Sequence, residues 1–210
     1  AEILPHEIHN RFTKTHLPAG FLLKIIAGML CPVKAGLYVQ FHKSGLVEVL
    51  DRYKVGAVLE PPVMASDDYD AALYDEWRRL ISEKGIDSIT AAAYQQLSLG
   101  GVIINVLSPV APPLEGTASD TDNNAVALEV VIGELSFLFT SDLQMEGEAE
   151  MLSCRLVPDC DVLKVAHHGS DTSSGQAFLT VARPELAIIS VGQNDYGHPG
   201  QEVLERLAGL

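Results

Sequence analysis

Asp161-Val162-Leu163-Lys164-Val165-Ala166-His167-His168-Gly169-Ser170 decides how the rest of the chain reads. A short run rich in Val and Leu breaks off into two histidines, a glycine and a serine, the form of a buried strand that ends in a functional loop. Two further segments repeat this design. Leu135 to Thr140 runs into Ser141-Asp142, and Leu186 to Val191 runs into Gly192-Gln193-Asn194-Asp195-Tyr196-Gly197-His198-Pro199. Three apolar strands thus end in Asp, His and His. In layered α/β structures the loops at strand ends bring distant residues together, so a shared site is expected there.

The chain has 210 residues, long enough for one sizeable domain, and 47% hydrophobic with 20% charged residues is ordinary for a soluble globular protein. A net charge of -14 argues against a broad basic face for sequence-independent nucleic-acid binding, which works by counterion release. A phosphate substrate would therefore need help from metal. Cys31, Cys154 and Cys160 cannot all pair within one molecule and show no Cys-x-x-Cys spacing. They read as thiols, with a Cys154–Cys160 disulfide left open. Phe21 to Leu30 is apolar but is interrupted by Lys24 and falls short of the ~20 residues of a membrane helix, so no transmembrane segment is expected.

Residues 1–41 read as an irregular segment and residues 42–210 as the domain. Leu37 to Phe41 can be a strand, Leu46 to Lys54 a helix, Val55 to Leu59 a strand, and Asp67-Asp68 opens a helix that runs to Gly85. Extended stretches follow at Ser88 to Ala92, Gln95 to Leu99 and Val102 to Leu107, the last two joined by Gly100-Gly101 as a hairpin. Residues 108–124 read as a long loop. A second hairpin joins Ala125 to Ile132 and Leu135 to Thr140, and a helix covers Glu146 to Leu152. Beyond the His-His turn, Ser173 or Ser174 can cap a helix to Pro184, and a last helix covers Gln201 to Leu207. Hairpins followed by strand–helix alternation make an α/β or α+β protein with sheets inside and helices outside. The dinucleotide-binding glycine fingerprint, the P-loop and the Gly-x-Ser-x-Gly elbow are absent from the sequence.

Imidazole and carboxylate at strand ends suit zinc or manganese, and an aspartate can bridge two ions. Such a pair activates water and neutralises a phosphoryl group. Each residue also has a plain reading: Asp142 as a loop cap, His167 or His168 as a hydrogen-bonded core residue, His198 as a turn histidine before proline.

The stretches Phe137 to Asp142, Asp161 to Ser170, Ile189 to Gly192 and Tyr196 to Pro199, with Asn123-Asn124 before the strand at Ala125, resemble the metallo-β-lactamase-like C-terminal domain of the ComEC competence proteins, which take DNA into the cell. The resemblance covers about residues 42–210. It implies a four-layer αββα sandwich, incomplete at its N-terminal side, with the site at one edge of the paired sheets. By motif, Asp142 is the bridging carboxylate and His167 a metal ligand, with His168 catalytic beside them and Ser170 and His198 flanking the site as substrate contacts.

The first half departs from the family pattern. Ser44-Gly45-Leu46 matches the family's helix start, which places His42 on the last histidine of a four-ligand motif. Leu37, Val39 and Phe41 fall on the other three positions, and none can bind metal. His42, Asp142 and His167 still make a set of two imidazoles and one carboxylate, an accepted three-ligand set for one ion; an intact site would take one or two ions of zinc or manganese.

The resemblance implies a metal-dependent phosphodiesterase or nuclease. Its DNA is presented by a larger membrane uptake protein in a bacterial cell, of which this is a soluble domain. A degenerate site instead implies a non-catalytic binding or structural module, and the fold also hosts hydrolysis of other esters and amides.

Overall fold

The structure, a computed structural model, describes residues 42–62 and 68–210. Two sheets lie face to face with helices on both outer sides. Helix α1 (His42–Arg52), strand β1 (Ala57–Glu60), helix α2 (Asp68–Lys84) and strand β2 (Asp87–Thr90) come first, with β1 and β2 parallel. Leu50, Trp77, Leu80 and Ile81 turn one stripe of the two helices inward, against Ile86 and Val58.

The larger sheet has six strands in chain order: β3 (Gln96–Leu99), β4 (Val102–Ser108), β5 (Ala127–Ile132), β6 (Leu135–Phe139), β7 (Val162–Lys164) and β8 (Leu186–Ile188). The β3–β4 and β5–β6 pairs are antiparallel hairpins and β4–β5 pair antiparallel across residues 109–126, whereas β6, β7 and β8 run parallel. Helices α4 (Met145–Ser153) and α5 (Gln176–Ala182) are the crossovers that parallel neighbours require, and α6 (Gln201–Ala208) closes the chain.

Period-two alternation assigns the faces. Phe137, Phe139 and Val162 join Val102, Val106 and Val130 in the core between the sheets, with Ala91 and Leu59 from the smaller sheet. Leu138, Leu163 and Val165 point the other way, onto Met151, Phe178, Leu179 and Val203 of the outer helices. The layers are therefore helix, sheet, sheet, helix. β7 carries apolar residues on both faces because both are covered. The parallel order has a functional consequence: the C-terminal ends of β6, β7 and β8 lie side by side, where Asp142, His167 and His198 follow.

The expected helices and strands from Leu46 onward are present, several of them shifted at their ends, and three details differ. Residues 108–124 hold a short helix, α3 (Asp120–Asn123), capped by Ser119. The strand expected over Leu186 to Val191 ends at Ile188. Ser173 and Ser174 do not cap α5; both are fully buried, and Gly175 is the cap residue without a side-chain bond of its own. Cys154 and Cys160 are free thiols, and burial beside Asp159 and Asp161 pushes the Cys160 thiol up to about 12. The expected strand at Leu37 to Phe41 and the rest of residues 1–41 lie outside the described residues. Among those described, no helix is long and apolar enough to cross a membrane.

Candidate active site

β7 delivers Val165 and Ala166 fully buried, and the chain then turns through a single 3₁₀ turn, Ala166–Gly169. His167 (φ 48°, ψ 44°), His168 (φ 54°, ψ 22°) and Gly169 (φ 80°) are all left-handed. Two consecutive non-glycine residues in this region cost of order 1–3 kcal/mol each and persist only where the surroundings over-determine them. Ser141 (φ 49°), just before Asp142, is left-handed as well. The two strained turns are joined directly, for the His167 amide donates to the Ser141 carbonyl (3.0 Å), while Ser141 Oγ donates to the Val126 carbonyl (2.8 Å). Gly169 is required, since a Cβ there would sit 2.8 Å from Pro199 Cβ.

This geometry brings four of the sequence-predicted residues together. His168 Nε2 lies 3.8 Å from Asp142 Oδ1, and His168 Nδ1 is 2.6 Å from the Ser190 carbonyl. A carbonyl only accepts, so Nδ1 carries a proton. In the neutral ring Nε2 is then a lone pair that faces a carboxylate oxygen, a pair of acceptors suited to sharing a proton or a cation. The His167 and His198 rings meet edge to face with centroids 5.6 Å apart. Partial burial and the neighbouring His167 hold the His198 imidazole below its usual pKa, against the opposing pull of Asp142 and Asp171.

Ser170 is buried, and its hydroxyl is shared with Thr172 (Oγ to Oγ1 2.9 Å), so its present bonds shape the turn. His42 opens α1, and its side chain lies outside the described residues. Among the described residues no three of His, Cys, Asp and Glu gather closely enough to hold an ion. The donor types suit zinc or manganese, but the described part of the site does not by itself fit a metal.

Three residues that the sequence did not single out brace the segments beyond the His-His turn. Glu148 on α4 accepts from the Ser174 amide (2.5 Å) and the Gly175 amide (2.8 Å), so a carboxylate from another helix caps α5. Its burial pushes the carboxyl up to about 7, against those amides and Arg206, which pull it down. Arg206 on α6 donates to the carbonyls of Asp171 (3.1 Å), Ser173 (3.0 Å) and Ser174 (3.0 Å). Asn194 Oδ1 accepts from the Tyr196 amide (3.1 Å) and the His198 amide (3.0 Å), and its Nδ2 donates to the His198 carbonyl (2.7 Å). The Asn194-x-Tyr-x-His198 spacing, an Asx turn signal, could have revealed this last brace. Asn123 and Asn124 serve the backbone: Asn123 Oδ1 accepts from the Gly147 amide and Asn124 Oδ1 from the Leu114 amide.

Lys164 ends β7 on the inter-sheet face. It is 5% exposed, and among the described residues its ammonium has no hydrogen-bond partner. Burial lowers its pKa, partly opposed by Asp142. A cavity of about 400 Å³ lies at the opposite strand ends, lined by Ser136, Asp161 and Glu185, away from the histidines.

No protein-family model matches the chain. ComE operon protein 3 of Bacillus subtilis is 33% identical over 169 residues, which are 80% of this chain and 21% of that protein. Competence protein ComA of Neisseria gonorrhoeae is 36% identical over 99 residues, 45% of this chain and 14% of that protein. The chain thus spans about a fifth or less of the length of these relatives. Among solved structures, CmlA, a diiron β-hydroxylase from Streptomyces venezuelae, superposes with a TM-score of 0.51 at 15% identity, covering 81% of this chain and 40% of that one. YhfI of Bacillus subtilis, a metallo-β-lactamase fold protein, gives a TM-score of 0.41 at 14% identity over 90% of this chain and 75% of that one. Over the segment it shares with them the chain is a homologue of the competence proteins, and it shares its fold with CmlA.

Proposed function

We propose that residues 42–210 are the metallo-β-lactamase-like domain of a bacterial competence protein that takes up DNA, and that the domain hydrolyses phosphodiester bonds in the incoming strand. The observation that carries this reading is the pair of left-handed turns bonded to one another, which keeps Asp142, His167 and His168 at one point of the sandwich at a cost in backbone strain. A purely structural turn would not need it.

In this proposal Asp142, His167 and His42 would hold zinc or manganese. Such an ion would supply charge neutralisation at phosphorus and activate water. His168, with Nδ1 fixed on the Ser190 carbonyl, presents Nε2 for proton transfer, and His198 faces the substrate phosphate. Ser170 holds the turn in shape beneath them. With a net charge of -14, the domain depends on the membrane-embedded remainder of a larger uptake protein to present the DNA.

A second reading, a non-catalytic module that keeps the fold, is favoured by one observation: Leu37, Val39 and Phe41 stand where the family carries donors. Calorimetric titration of zinc and manganese into metal-stripped protein separates the two. One ion per chain, lost in both His167→Ala and His42→Ala, is the expected result. No specific binding sinks the hydrolase and leaves the module.

A further inference from the structure

Tyr196 stands at the mouth of the site with 62% of its surface exposed. Its ring centroid lies 6.0 Å from that of His198 at a tilt of 32°, and the His198 ring meets His167 edge to face at 5.6 Å. Three rings therefore step from solvent to the buried histidine. The loop that displays the outer two is pinned by hydrogen bonds: Asn194 Oδ1 receives the amides of Tyr196 and His198, and Asn194 Nδ2 donates to the carbonyls of Gly192 (3.0 Å) and His198. An exposed tyrosine in a mobile loop needs no explanation, but one fixed beside the reacting groups is pre-organised for a ligand.

Charge narrows what that ligand contact can be. A strand of nucleic acid is usually gripped through phosphates by lysine and arginine, which a chain of net charge -14 has little of to spare. Stacking of a base on an aromatic ring is indifferent to net charge and is strong enough to matter, roughly 5- to 150-fold in affinity per base.

Resting on the hydrolase reading above, we propose that Tyr196 is the stacking platform for a nucleobase of the substrate, one nucleotide step from the phosphate that faces His198. Its role is to position and select: it favours an unpaired base, whose ring face is open, over a base closed in a duplex.

The test uses fluorescence anisotropy of a labelled thymidine octamer, the same backbone without bases, and the matching duplex, at low salt with a chelator so that nothing is cleaved. Wild type should prefer the base-bearing single strand to both others. Tyr196→Ala should lose about tenfold on that strand and nothing on the abasic one, while Tyr196→Phe keeps the wild-type affinity. Equal binding of all three probes by wild type, or a loss in Tyr196→Ala that is the same with and without bases, overturns the proposal. Cleavage is read separately with manganese restored, so failure of the hydrolase reading appears there and leaves the stacking signal untouched.

Discussion

The two halves of the sandwich are held together in different ways. The six-stranded half, from β3 to α6, is cross-braced by polar links over long sequence distances: Glu148 to residue 174, Arg206 to residue 171, Asp171 Oδ1 to the Val203 amide (3.0 Å) and the Gly200 amide to the Gly169 carbonyl (2.8 Å). The described part of the first half has two strands of four residues, and β2 is exposed along its whole length. It rests on one stripe of apolar residues around Leu50, Trp77 and Leu80. Strained turns need a frame that cannot relax, and among the described residues the six-stranded half supplies it. That is where Asp142 and the histidines sit.

The comparison breaks most visibly in the core. Phe178 is fully buried among Leu138, Leu163 and Val203, so Phe178→Ala should cost about 3–5 kcal/mol in denaturant unfolding. Leu50→Ala should act locally, lowering hydrogen-exchange protection of β1 and β2 before that of β6 and β7. Equal opening energies for both sheets in wild type would show that the halves are one cooperative unit and that the contrast is only apparent.

Glu148 sharpens the contrast through pH. Its carboxyl rises from 4.5 to about 7 on folding, so the folded state binds the proton more tightly than the unfolded chain. The stability this contributes is complete below about pH 4.5 and is lost as pH rises through about 7, on the order of 3 kcal/mol in all. Glu148→Gln should remove that slope from the pH dependence of unfolding while keeping one acceptor oxygen, for either the Ser174 or the Gly175 amide. A slope that survives in the variant assigns the titration to another group.

How much of this was legible in the sequence follows from the range of each interaction. The strands β6, β7 and β8 and the residues at their ends are local patterns, written in alternation and in the His-His-Gly-Ser run, and so they could be read. The left-handed backbone at His167 and His168 could not, because neither residue type calls for it; it is imposed by contacts with Ser141. Glu148 looks like any acidic residue in the first turn of a helix, and its partners lie 26 and 27 residues away. Ser173 and Ser174 carried a local cap signal that the incoming carboxylate overrode. Lys164 looked like an ordinary polar residue at a strand end, yet the pleat sends it between the sheets.

Lys164 is the next place to press. Its ammonium is buried between the sheets, with no hydrogen-bond partner among the described residues, and a buried donor left without a partner costs about 1–3 kcal/mol. Lys164→Met, which keeps the length and drops the charge, should raise stability by about that amount at neutral pH. Because burial depresses the folded pKa, wild-type stability should also climb as pH rises from the depressed value to the ordinary lysine value, and the variant should lose that climb. A destabilised Lys164→Met would mean that residues 1–41 or 63–67 provide an acceptor, tying the two halves together by a polar link after all.

The smallest effect tests the first half's main polar tie. Trp77 Nε1 donates to Glu60 Oε2 (2.8 Å), and Glu60 also accepts from the Ser88 hydroxyl and lies 3.5 Å from Arg78. Glu60 is 8% exposed and keeps two partners when the indole is lost, so the carboxylate is not stranded. Trp77→Phe keeps an aromatic ring beside Leu80 and Ile81 and removes one hydrogen bond to a charged group, worth about 1.5 kcal/mol, the low end for such a bond because Glu60 keeps its other two partners. The loss should show in the exchange of β1 and β2 amides and leave the binding of metal and of single strands unchanged, since no brace of the His-His turn passes through Glu60. A change in either binding constant would instead mean that the first half, through β1, helps to set the geometry of the site.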